Sequence, residues 1–450
     1  MRQPSTISSY INTNKSQIHY YVAIVTLGIA IVALPISVGI CHAAIILYLV
    51  NWAFEGNWQT KFSILKKNVP IILIIALFLL ELFGTLYTDA SGVAGVEKKI
   101  FFVLLPVALA TSEVKLTMRN IYQIFYCFVA SCLVCSFICL GNALYQIVLL
   151  TEGTPIAILS YLDASEFRSL NSGATDEWLS FSYRSLASGI GIHPTYFALY
   201  LAFAITFLIL RLDDGPAWLR IASWLLICYF SFFIVLLSSR MIIIGILVIF
   251  IMAILQAMRK KETLSRAIRL LIIAGLSGSL LYVNPVSRYR NLQELPLTSL
   301  HIQSNSNYIN STEIRASLWW LGLKASERVN LIWGTGTDDV YDAIKQVSDD
   351  YHITNSLESY DPHNQFLFTL IGSGILGLTM LVALILCSLY VAILKRDYLY
   401  GAFIFLFILI CITETALQLQ KGIIFFAIFY SMLAFTKRPA IPIAPTFKPA

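Results

Sequence analysis

Apolar segments recur along almost the whole of this chain of 450 residues, and they limit what it can fold into more than any other feature. A helix needs about 20 mostly apolar residues to cross the ~30 Å hydrocarbon core of a bilayer. Twelve segments are candidates, of which the second, fourth, eleventh and twelfth are the shortest. They lie at about Tyr20–Val38, Ile40–Ala53, Val69–Tyr87, Ile100–Ala110, Ile121–Leu150, Thr195–Leu210, Trp218–Leu237, Met241–Met258, Ala267–Val283, Gln365–Leu394, Leu399–Ile412 and Gly422–Phe435. The sequence therefore predicts an all-α polytopic membrane protein with about 12 transmembrane helices.

The composition agrees with this prediction. Hydrophobic residues make up 58% of the chain and charged residues only 12%, whereas an average soluble domain is about a quarter charged. So little charge cannot coat a folded particle of this size in water. The composition also excludes disordered, collagen-like and small disulfide-rich proteins.

The basic residues predict the orientation of the spans. With both termini on the cytoplasmic side, 19 of the 31 Lys and Arg residues lie inside and 12 outside, whereas 18 of the 25 acidic residues lie outside. This excess of positive charge in short inner loops is what the positive-inside rule expects. The first apolar segment lacks a small-residue cleavage site after it, so we expect it to act as a signal anchor rather than a cleaved signal peptide.

Two outer loops divide the chain. Residues 1–283 hold spans 1–9, with an outer loop at about 151–194, and residues 363–450 hold spans 10–12 and a cytoplasmic tail. Between them, residues 284–362 form a large outer loop, which is long enough to be functional. Within this loop we predict helices at Ser311–Val329 and Val340–Val347, separated by a turn at Gly334–Gly336. A phosphate-cradling role for this glycine pair is a weak alternative to a simple turn.

Several arginines are predicted to lie at the outer ends of the spans. Arg240 follows two serines in a short turn between spans 7 and 8, and Arg288 and Arg290 follow span 9. Arg315 shares a helical face with Leu318 and Trp319, the face expected to rest on the membrane domain. An interfacial arginine can simply snorkel, but several converging guanidinium groups could hold a diphosphate without metal.

The other chemical candidates are histidines and one intramembrane acid. His363 begins span 10 in the sequence Asp361-Pro362-His363-Asn364, where it is either a structural cap or a proton acceptor near neutral pH. His193, at the mouth of span 6, has a similar setting. Glu81 inside span 3 is a candidate polar tether or proton-linked group. No metal site is expected, because the cysteines that share a face at positions 132, 135 and 139 lack His or carboxylate partners.

In the order and spacing of its motifs the chain resembles the O-antigen ligase and O-antigen polymerase superfamily. The family signature is His, then Asn, Ser or Gln, nine residues and Gly, which here is His363-Asn364 followed by nine residues and Gly374. Similarity covers roughly residues 184–377, although Thr195 stands where many members have Asn. The matching motifs are Ser238-Ser239-Arg240, Arg315 with Trp319 to Leu323, Ile332 to Gly336, His363-Asn364, and Arg184 to Leu201 with Gly191 and His193-Pro194.

The resemblance implies a GT-C-like, metal-independent and inverting glycosyltransferase without cofactors, in the bacterial inner membrane and with a periplasmic active site. Its donor would be a glycan on undecaprenyl diphosphate. Its acceptor would be a sugar of lipid A core for a ligase, or another lipid-linked glycan for an O-antigen or exopolysaccharide polymerase. The other expected partners are membrane lipids, with no nucleic acid.

The resemblance also assigns roles to individual residues. His363 would be the general base, while Arg240 and Arg315 would hold the diphosphate. Arg288 is a further diphosphate candidate, although the neighbouring Arg290 makes this match ambiguous. The secondary candidates are Arg184, His193, Asn364 and Arg290.

A transporter or a lipid-linked oligosaccharide flippase is the alternative of another class. Secondary transporters usually show two related halves and a site near the bilayer midplane, whereas these candidate charges cluster at one face and no internal repeat is evident. A flippase would be expected to carry cationic residues along the interior of its spans, where this chain has Glu81 and almost nothing else.

Overall fold

The computed structural model describes residues 6–88, 93–151, 176–212, 214–258, 264–293, 311–353 and 361–435. The regular secondary structure within these ranges is entirely helical, and turns or irregular segments join the helices. The helices are α1 (Thr6–Ala33), α2 (Val38–Phe54), α3 (Trp58–Lys67), α4 (Val69–Gly84), α5 (Val93–Glu97), α6 (Ile100–Thr111), α7 (Met118–Thr151), α8 (Asp176–Ser180), α9 (Tyr183–Ala187), α10 (Pro194–Leu210), α11 (Ala217–Leu236), α12 (Arg240–Met258), α13 (Leu264–Val283), α14 (Pro285–Arg288), α15 (Ser311–Arg328), α16 (Val340–Asp350), α17 (Gln365–Leu394), α18 (Tyr398–Thr413) and α19 (Gln420–Phe435). Each of the twelve predicted segments overlaps one of these helices, although the first, Tyr20–Val38, extends beyond the end of α1 at Ala33.

The candidate membrane spans are fewer than the helices. Within the described ranges, six helices are long and apolar enough to cross a membrane, or up to eight if each of two bent helix pairs is one span. Helices α4, α18 and α19 are apolar but have 16 residues each, which at 1.5 Å per residue is about 24 Å. The all-α, multi-pass prediction is thus supported, while the count of twelve spans stays a prediction.

Apolar stripes cover the outside of the bundle. On α12, Ile244, Leu247, Ile251 and Leu255 are each about half exposed, whereas the opposite face is buried. Exposed apolar residues at this helical spacing would be unfavourable in water and are expected in contact with lipid chains. The stripe therefore supports a membrane location independently of composition.

Helix α10 lies at the centre of the bundle. Sixteen of its 17 residues are buried, and it packs against α7, α11, α12 and α18. A helix that is apolar all round is stable only when neighbours surround it. Here Phe203 contacts the rings of Phe125 at 5.5 Å and Phe429 at 4.9 Å between centroids. Because α10 is enclosed, its N-terminal end is held firmly at one end of the bundle.

The described part of the large loop folds onto α17. Both predicted loop helices are present, as α15 and α16, although α16 extends three residues further than predicted, to Asp350. A second apolar core joins Leu318 and Leu321 of α15 with Ile344 of α16 and Phe368 of α17. Residues 294–310 and 354–360 of the loop lie outside the described residues, as do residues 152–175 of the other outer loop and the tail from 436.

Helix α17 breaks at Gly374, where the backbone has φ +63° and ψ −165°. The turn between α15 and α16 pairs with the broken helix on both sides of this glycine. Ile375 N–H donates to Leu331 O at 2.8 Å, and Thr335 N–H and Gly336 N–H donate to the carbonyls of residues 371 and 372, each at 2.9 Å. The described turn at Gly334–Gly336 thus has a structural role, which argues against the weak phosphate-cradling alternative.

The predicted intramembrane acid, Glu81, is paired with a basic residue in the structure. Glu81 of α4 forms an ion pair with Lys99, 2.9 Å apart, and both side chains are less than a tenth exposed. This ion pair favours the interpretation of Glu81 as a polar tether over a proton-linked group, because it joins α4 to the residue that precedes α6. Cys132, Cys135 and Cys139 are fully buried on the inward face of α7, as expected for small packing residues.

Candidate functional site

A cavity of about 480 Å³ opens at the end of the bundle where α12 begins and α18 ends. One part of its wall is apolar, and another part carries charge. The apolar part is formed by Met241, Ala316, Trp319, Trp320 and Leu323, and the charged part by Arg240, Arg290, Arg315 and Glu414. A largely apolar cavity with a few convergent charged groups is typical of a ligand site.

The three arginines reach the cavity from separate elements. Arg240 begins α12, and its guanidinium donates a hydrogen bond to Thr312 of α15. Arg290 lies in the π-helical turn Tyr289–Gln293 that follows α14, and its guanidinium carbon is 3.6 Å from the ring centroid of Tyr183. Arg315 lies on α15. Their convergence depends on tertiary packing, because the three residues are far apart in the chain.

A buried polar network fixes the turns that carry two of these arginines. Ser238, which adopts φ +51°, shares a hydrogen bond of 2.8 Å with Ser287. Asn284 caps α14 by accepting from Ser287 N–H at 3.0 Å, and its amide donates to Ser182 at 3.0 Å. All four side chains are 1% exposed or less. Buried hydrogen-bond networks of this kind hold their members rigidly, so Arg240 and Arg290 are set in position relative to Tyr183.

Glu414 connects the arginine side of the cavity to His363. Its side chain is 6% exposed; Oε1 accepts from an Nη2–H of Arg315 at 3.0 Å, and Oε2 lies 3.2 Å from Nδ1 of His363. Burial alone raises the pKa of Glu414, but the hydrogen bond to His363 and the charge of Arg315 outweigh it and lower the pKa below its ordinary value. The carboxylate is therefore ionised at neutral pH and can only accept hydrogen bonds.

The segment before α17 presents His363 in an uncommon conformation. His363 has φ +44°, and its N–H donates to Oδ1 of Asp361 at 2.9 Å. Asn364 caps α17 by accepting from Leu367 N–H at 3.0 Å. A non-glycine residue with positive φ persists only when its surroundings hold it. The His363 side chain is 32% exposed, so the ring is fixed by its neighbours yet still open to solvent.

His193 lies just ahead of α10, within electrostatic range of Glu414. At this point the segment Tyr183–Ile190, which comprises α9 and a 3₁₀ turn, is bent by 77° relative to α10. Its Nδ1 accepts from Thr195 N–H at 3.4 Å and so caps the helix. Burial lowers the pKa of His193 to about 4, with the positive charges of Arg184 and Arg315 acting in the same direction and Glu414 opposing them. His193 is therefore neutral at pH 7, with its proton on Nε2.

The structure brings most of the candidate residues together but not all of them. Arg240 and Arg315 line the cavity, His363 contacts Glu414, and His193 lies within electrostatic range of that carboxylate. Arg184 stands 5.7 Å from the Tyr183 ring centroid, which is part of the cavity wall.

Arg288 is not among the residues that line the cavity; its guanidinium lies over Tyr282, 5.7 Å from the ring centroid. Arg290, the secondary candidate, is in the wall instead. Residues two apart in a helical turn point to nearly opposite sides, since each residue turns by about 100°. Of these two arginines, Arg290 is therefore the one that lines the cavity, while the diphosphate role of either residue stays a prediction.

Glu414 is the residue that sequence reasoning missed. Its contacts span 51 positions to His363 and 99 to Arg315, and a single sequence does not reveal such contacts. The sequence nevertheless marks Glu414 as a candidate, because it is a carboxylate that lies directly after one apolar helix and six residues before the next.

Residues 221–382 match the family described as O-antigen ligase. No curated protein shows significant sequence similarity to the chain. The matched stretch runs from α11 into α17 and includes Arg240, Arg290, Arg315 and His363, whereas Glu414 lies beyond it. The resemblance inferred from the motifs is confirmed over residues 221–382, which are similar to the O-antigen ligase superfamily.

Proposed function

We propose that the protein is an O-antigen ligase-type glycosyltransferase. It moves a glycan from undecaprenyl diphosphate to a sugar hydroxyl of lipid A core, at the periplasmic face of the bacterial inner membrane. The observation that carries this proposal is the convergence of Arg240, Arg290 and Arg315 on one cavity whose remaining charged residue, Glu414, contacts His363.

The donor side of the site follows from charge and hydrogen bonding. Within the described part of the chain, Nε of Arg290 and Nε1 of Trp319 are buried without a hydrogen-bond partner, and both residues belong to the cavity wall. A buried donor left unpaired costs about 1–3 kcal/mol, so an oxygen-rich ligand that accepts from it binds more favourably. Guanidinium groups match phosphate oxygens in charge and geometry, and the apolar wall suits the first units of a prenyl chain.

The acceptor side follows from the ionised state of Glu414. Because its carboxylate can only accept, Nδ1 of His363 must carry the proton in this contact, which leaves a lone pair on Nε2. In the reaction, the acceptor hydroxyl oxygen forms a bond to the anomeric carbon as its proton passes to Nε2. The bond from that carbon to the diphosphate oxygen breaks, and the electron pair leaves with the diphosphate. A single displacement of this kind inverts the anomeric configuration.

The arginines stabilise the transition state of this step. Negative charge grows on the diphosphate as the bond to the sugar breaks, and preorganised cationic donors stabilise such charge more than they stabilise the ground state. The proton on His363 later passes to solvent, which the 32% exposure of its side chain allows.

An O-antigen or exopolysaccharide polymerase with a lipid-linked glycan acceptor is the second candidate, because the family match fits both acceptors. A transporter or flippase fits less well. The binding site of a secondary transporter usually lies near the bilayer midplane, whereas this cavity and its charged residues lie at the ends of helices. The product that accumulates in a deletion strain separates these functions. Full-length glycan on undecaprenyl diphosphate indicates a lost ligase, and single repeat units indicate a lost polymerase.

Point variants test the assigned residues in the same strain. We expect His363→Ala and Arg240→Ala each to abolish glycan transfer while the protein still inserts in the membrane at the wild-type level. Asp350→Asn is a matched control, because it removes a carboxylate that pairs with an arginine of α15, Arg328, at the protein surface. Normal product from either site variant would contradict the proposed roles.

A further inference from the structure

We infer that helix α3 (Trp58–Lys67) lies along the membrane surface, at the end of the bundle opposite the cavity, and binds acidic phospholipids there. The inference goes beyond the proposed function and does not depend on it. Helix α3 lies outside residues 221–382, so the family match assigns it no role.

The first argument is the position of α3. It directly precedes α4, a helix of 16 residues that is about 24 Å long. The other end of α4 meets the large loop, because a Cβ on Gly84 would lie 3.3 Å from the Cα of Gly336. The same loop contributes residues of α15 to the cavity wall. Helix α3 is therefore at the far end of α4 from the cavity, the end that the basic residues predict to be cytoplasmic.

The second argument is the direction of α3. The chain bends by 112° between α2 and α3, at Gly56 and Asn57, which have φ +81° and +52°. The ten residues of α3 rise only about 15 Å, about half the thickness of a hydrocarbon core. A short helix that turns by roughly a right angle from an apolar helix runs close to the plane of the membrane instead of crossing it.

The third argument is that a buried ion pair fixes this bend. Lys61 of α3 is 2% exposed, lies 3.2 Å from Glu55 and donates to the carbonyl of Trp52 at 2.5 Å. Glu55 in turn accepts from Ser112 Oγ at 2.6 Å and from Glu113 N–H at 3.0 Å. Removal of one partner from a buried pair is strongly destabilising, so the pair determines which face of α3 points inward.

The opposite face of α3 is apolar at one end and basic at the other. Trp58 and Phe62 are each about half exposed, and Phe54 at the end of α2 is 71% exposed. Trp58, Phe62 and Lys66 follow one another at a spacing of four residues and share a face. Lys66 and Lys67 are both exposed. Exposed aromatic residues with lysines beside them are typical of a helix that lies in a membrane interface.

The charge around α3 favours an acidic partner. Lys115, whose ammonium group donates to the carbonyl of Ser112 at 2.6 Å, is a further exposed lysine beside the bend. The exposed acid there, Glu113, accepts a hydrogen bond from Asn57. A neutral lipid would satisfy the aromatic residues but not the lysines, whereas an acidic phospholipid satisfies both.

The C-terminal tail from residue 436 is a poor alternative occupant of this face. It contains three basic residues and no acidic residue, and the basic ones are Lys437, Arg438 and Lys448. Like charges placed against one another disfavour binding. We therefore assign the face to acidic phospholipids of the adjacent leaflet.

The experiment uses the purified full chain in vesicles of phosphatidylcholine with a minor share of phosphatidylglycerol. Bromine, which quenches tryptophan fluorescence at short range, is placed either on the phosphatidylglycerol or on an equal number of phosphatidylcholine molecules. The signal of Trp58 is the difference between wild type and Trp58→Phe. At low salt we expect brominated phosphatidylglycerol to quench this signal about fivefold more strongly, because each lysine near an acidic surface raises binding by about that factor.

Variants of the two exposed lysines test the role of charge. Lys66→Gln/Lys67→Gln should remove most of the difference between the two brominated lipids, whereas Lys66→Arg/Lys67→Arg should keep it. The matched control, Lys324→Gln/Lys345→Gln, removes two lysines from α15 and α16 and should behave as wild type. High salt should reduce the wild-type difference, because it screens exposed charges.

Three results would overturn the inference. Equal quenching of the Trp58 signal by the two brominated lipids would exclude a preference for acidic phospholipids. A Trp58 signal that neither lipid quenches would show that protein, such as a second copy of this chain, covers the face. Equal behaviour of Lys66→Gln/Lys67→Gln and the control would remove these lysines from lipid binding. If Trp58→Phe does not fold, Phe62→Trp places a new tryptophan on the same face, and the quenching of its added fluorescence decides in the same way.

Discussion

Gly374 offers the sharpest test of the structural account of the family signature. It lies where α17 breaks, with φ +63° and ψ −165°, a region of backbone space that is essentially restricted to glycine. A Cβ at this position would lie 2.2 Å from the carbonyl oxygen of Ile332 and 2.7 Å from the nitrogen of Trp333. These are backbone atoms that belong to the turn paired with α17, so neither side can yield without breaking that pairing.

The cost of Gly374→Ala can be worked from these contacts. The strained backbone costs about 1–3 kcal/mol. Separation of the turn from α17 weakens the hydrogen bonds made by Ile375, Thr335 and Gly336, each of which contributes about 0.5–1.5 kcal/mol. With one or two of them lost, we expect a destabilisation of about 3 kcal/mol and a fall of several degrees in the unfolding midpoint.

The assay is thermal unfolding of the purified protein in detergent, followed by tryptophan fluorescence. Gly275→Ala is the matched control, because a Cβ on this residue of α13 meets no atom within 4 Å, and alanine favours a helix by about 1 kcal/mol. We predict that Gly275→Ala unfolds at or above the wild-type midpoint and Gly374→Ala clearly below it. Equal midpoints for the two variants would refute the reasoning.

Three further predictions follow from the site and the buried charges. Arg290→Gln should weaken binding of the lipid diphosphate by tenfold or more in fluorescence titrations, whereas Arg288→Gln should change it less than threefold, because only Arg290 lines the cavity; the reverse order would contradict the placement. The pKa of His193 is lowered to about 4 by burial, so between pH 6.5 and pH 4 the unfolded chain binds a proton that the folded chain does not, and the free energy of unfolding falls as the pH falls. The unfolding midpoint of wild type should therefore drop more steeply from pH 7 to pH 4.5 than that of His193→Asn. Parallel curves for the two proteins would refute this prediction. Lys99→Met leaves Glu81 buried without its counter-charge and should destabilise the protein by about 3–5 kcal/mol, whereas the double variant Glu81→Leu/Lys99→Met should recover most of the loss in thermal unfolding.

Helices could be predicted from this sequence more reliably than spans. Apolar length identifies a segment such as Gln420–Phe435 but does not reveal whether it faces lipid or protein. In the structure, most of α19 is buried, and α10 is enclosed by four other helices. Hydropathy measures the preference of a segment for an apolar environment, and a protein interior satisfies that preference as well as a bilayer does.

The site was only partly predictable, for a similar physical reason. Arg240 and His363 stand out because each interrupts or begins an apolar segment, where a polar side chain is costly. Glu414 is a site candidate only because of its contacts with Arg315 and His363, which lie far from it in the chain and cannot be predicted from a single sequence. Likewise, the structural role of the turn at Gly334–Gly336 could not be predicted from the sequence, because it depends on hydrogen bonds to the part of α17 that breaks at Gly374.

The proposed reaction is tested by measuring transfer by the purified protein from undecaprenyl diphosphate-linked glycan to lipid A core, with both products quantified by mass spectrometry. We predict that wild type forms glycosylated lipid A core and free undecaprenyl diphosphate in equal amounts, with inverted configuration at the new bond. His363→Ala should form neither product although it binds the donor. Release of diphosphate at the wild-type rate by His363→Ala, or a new bond with retained configuration, would contradict the mechanism.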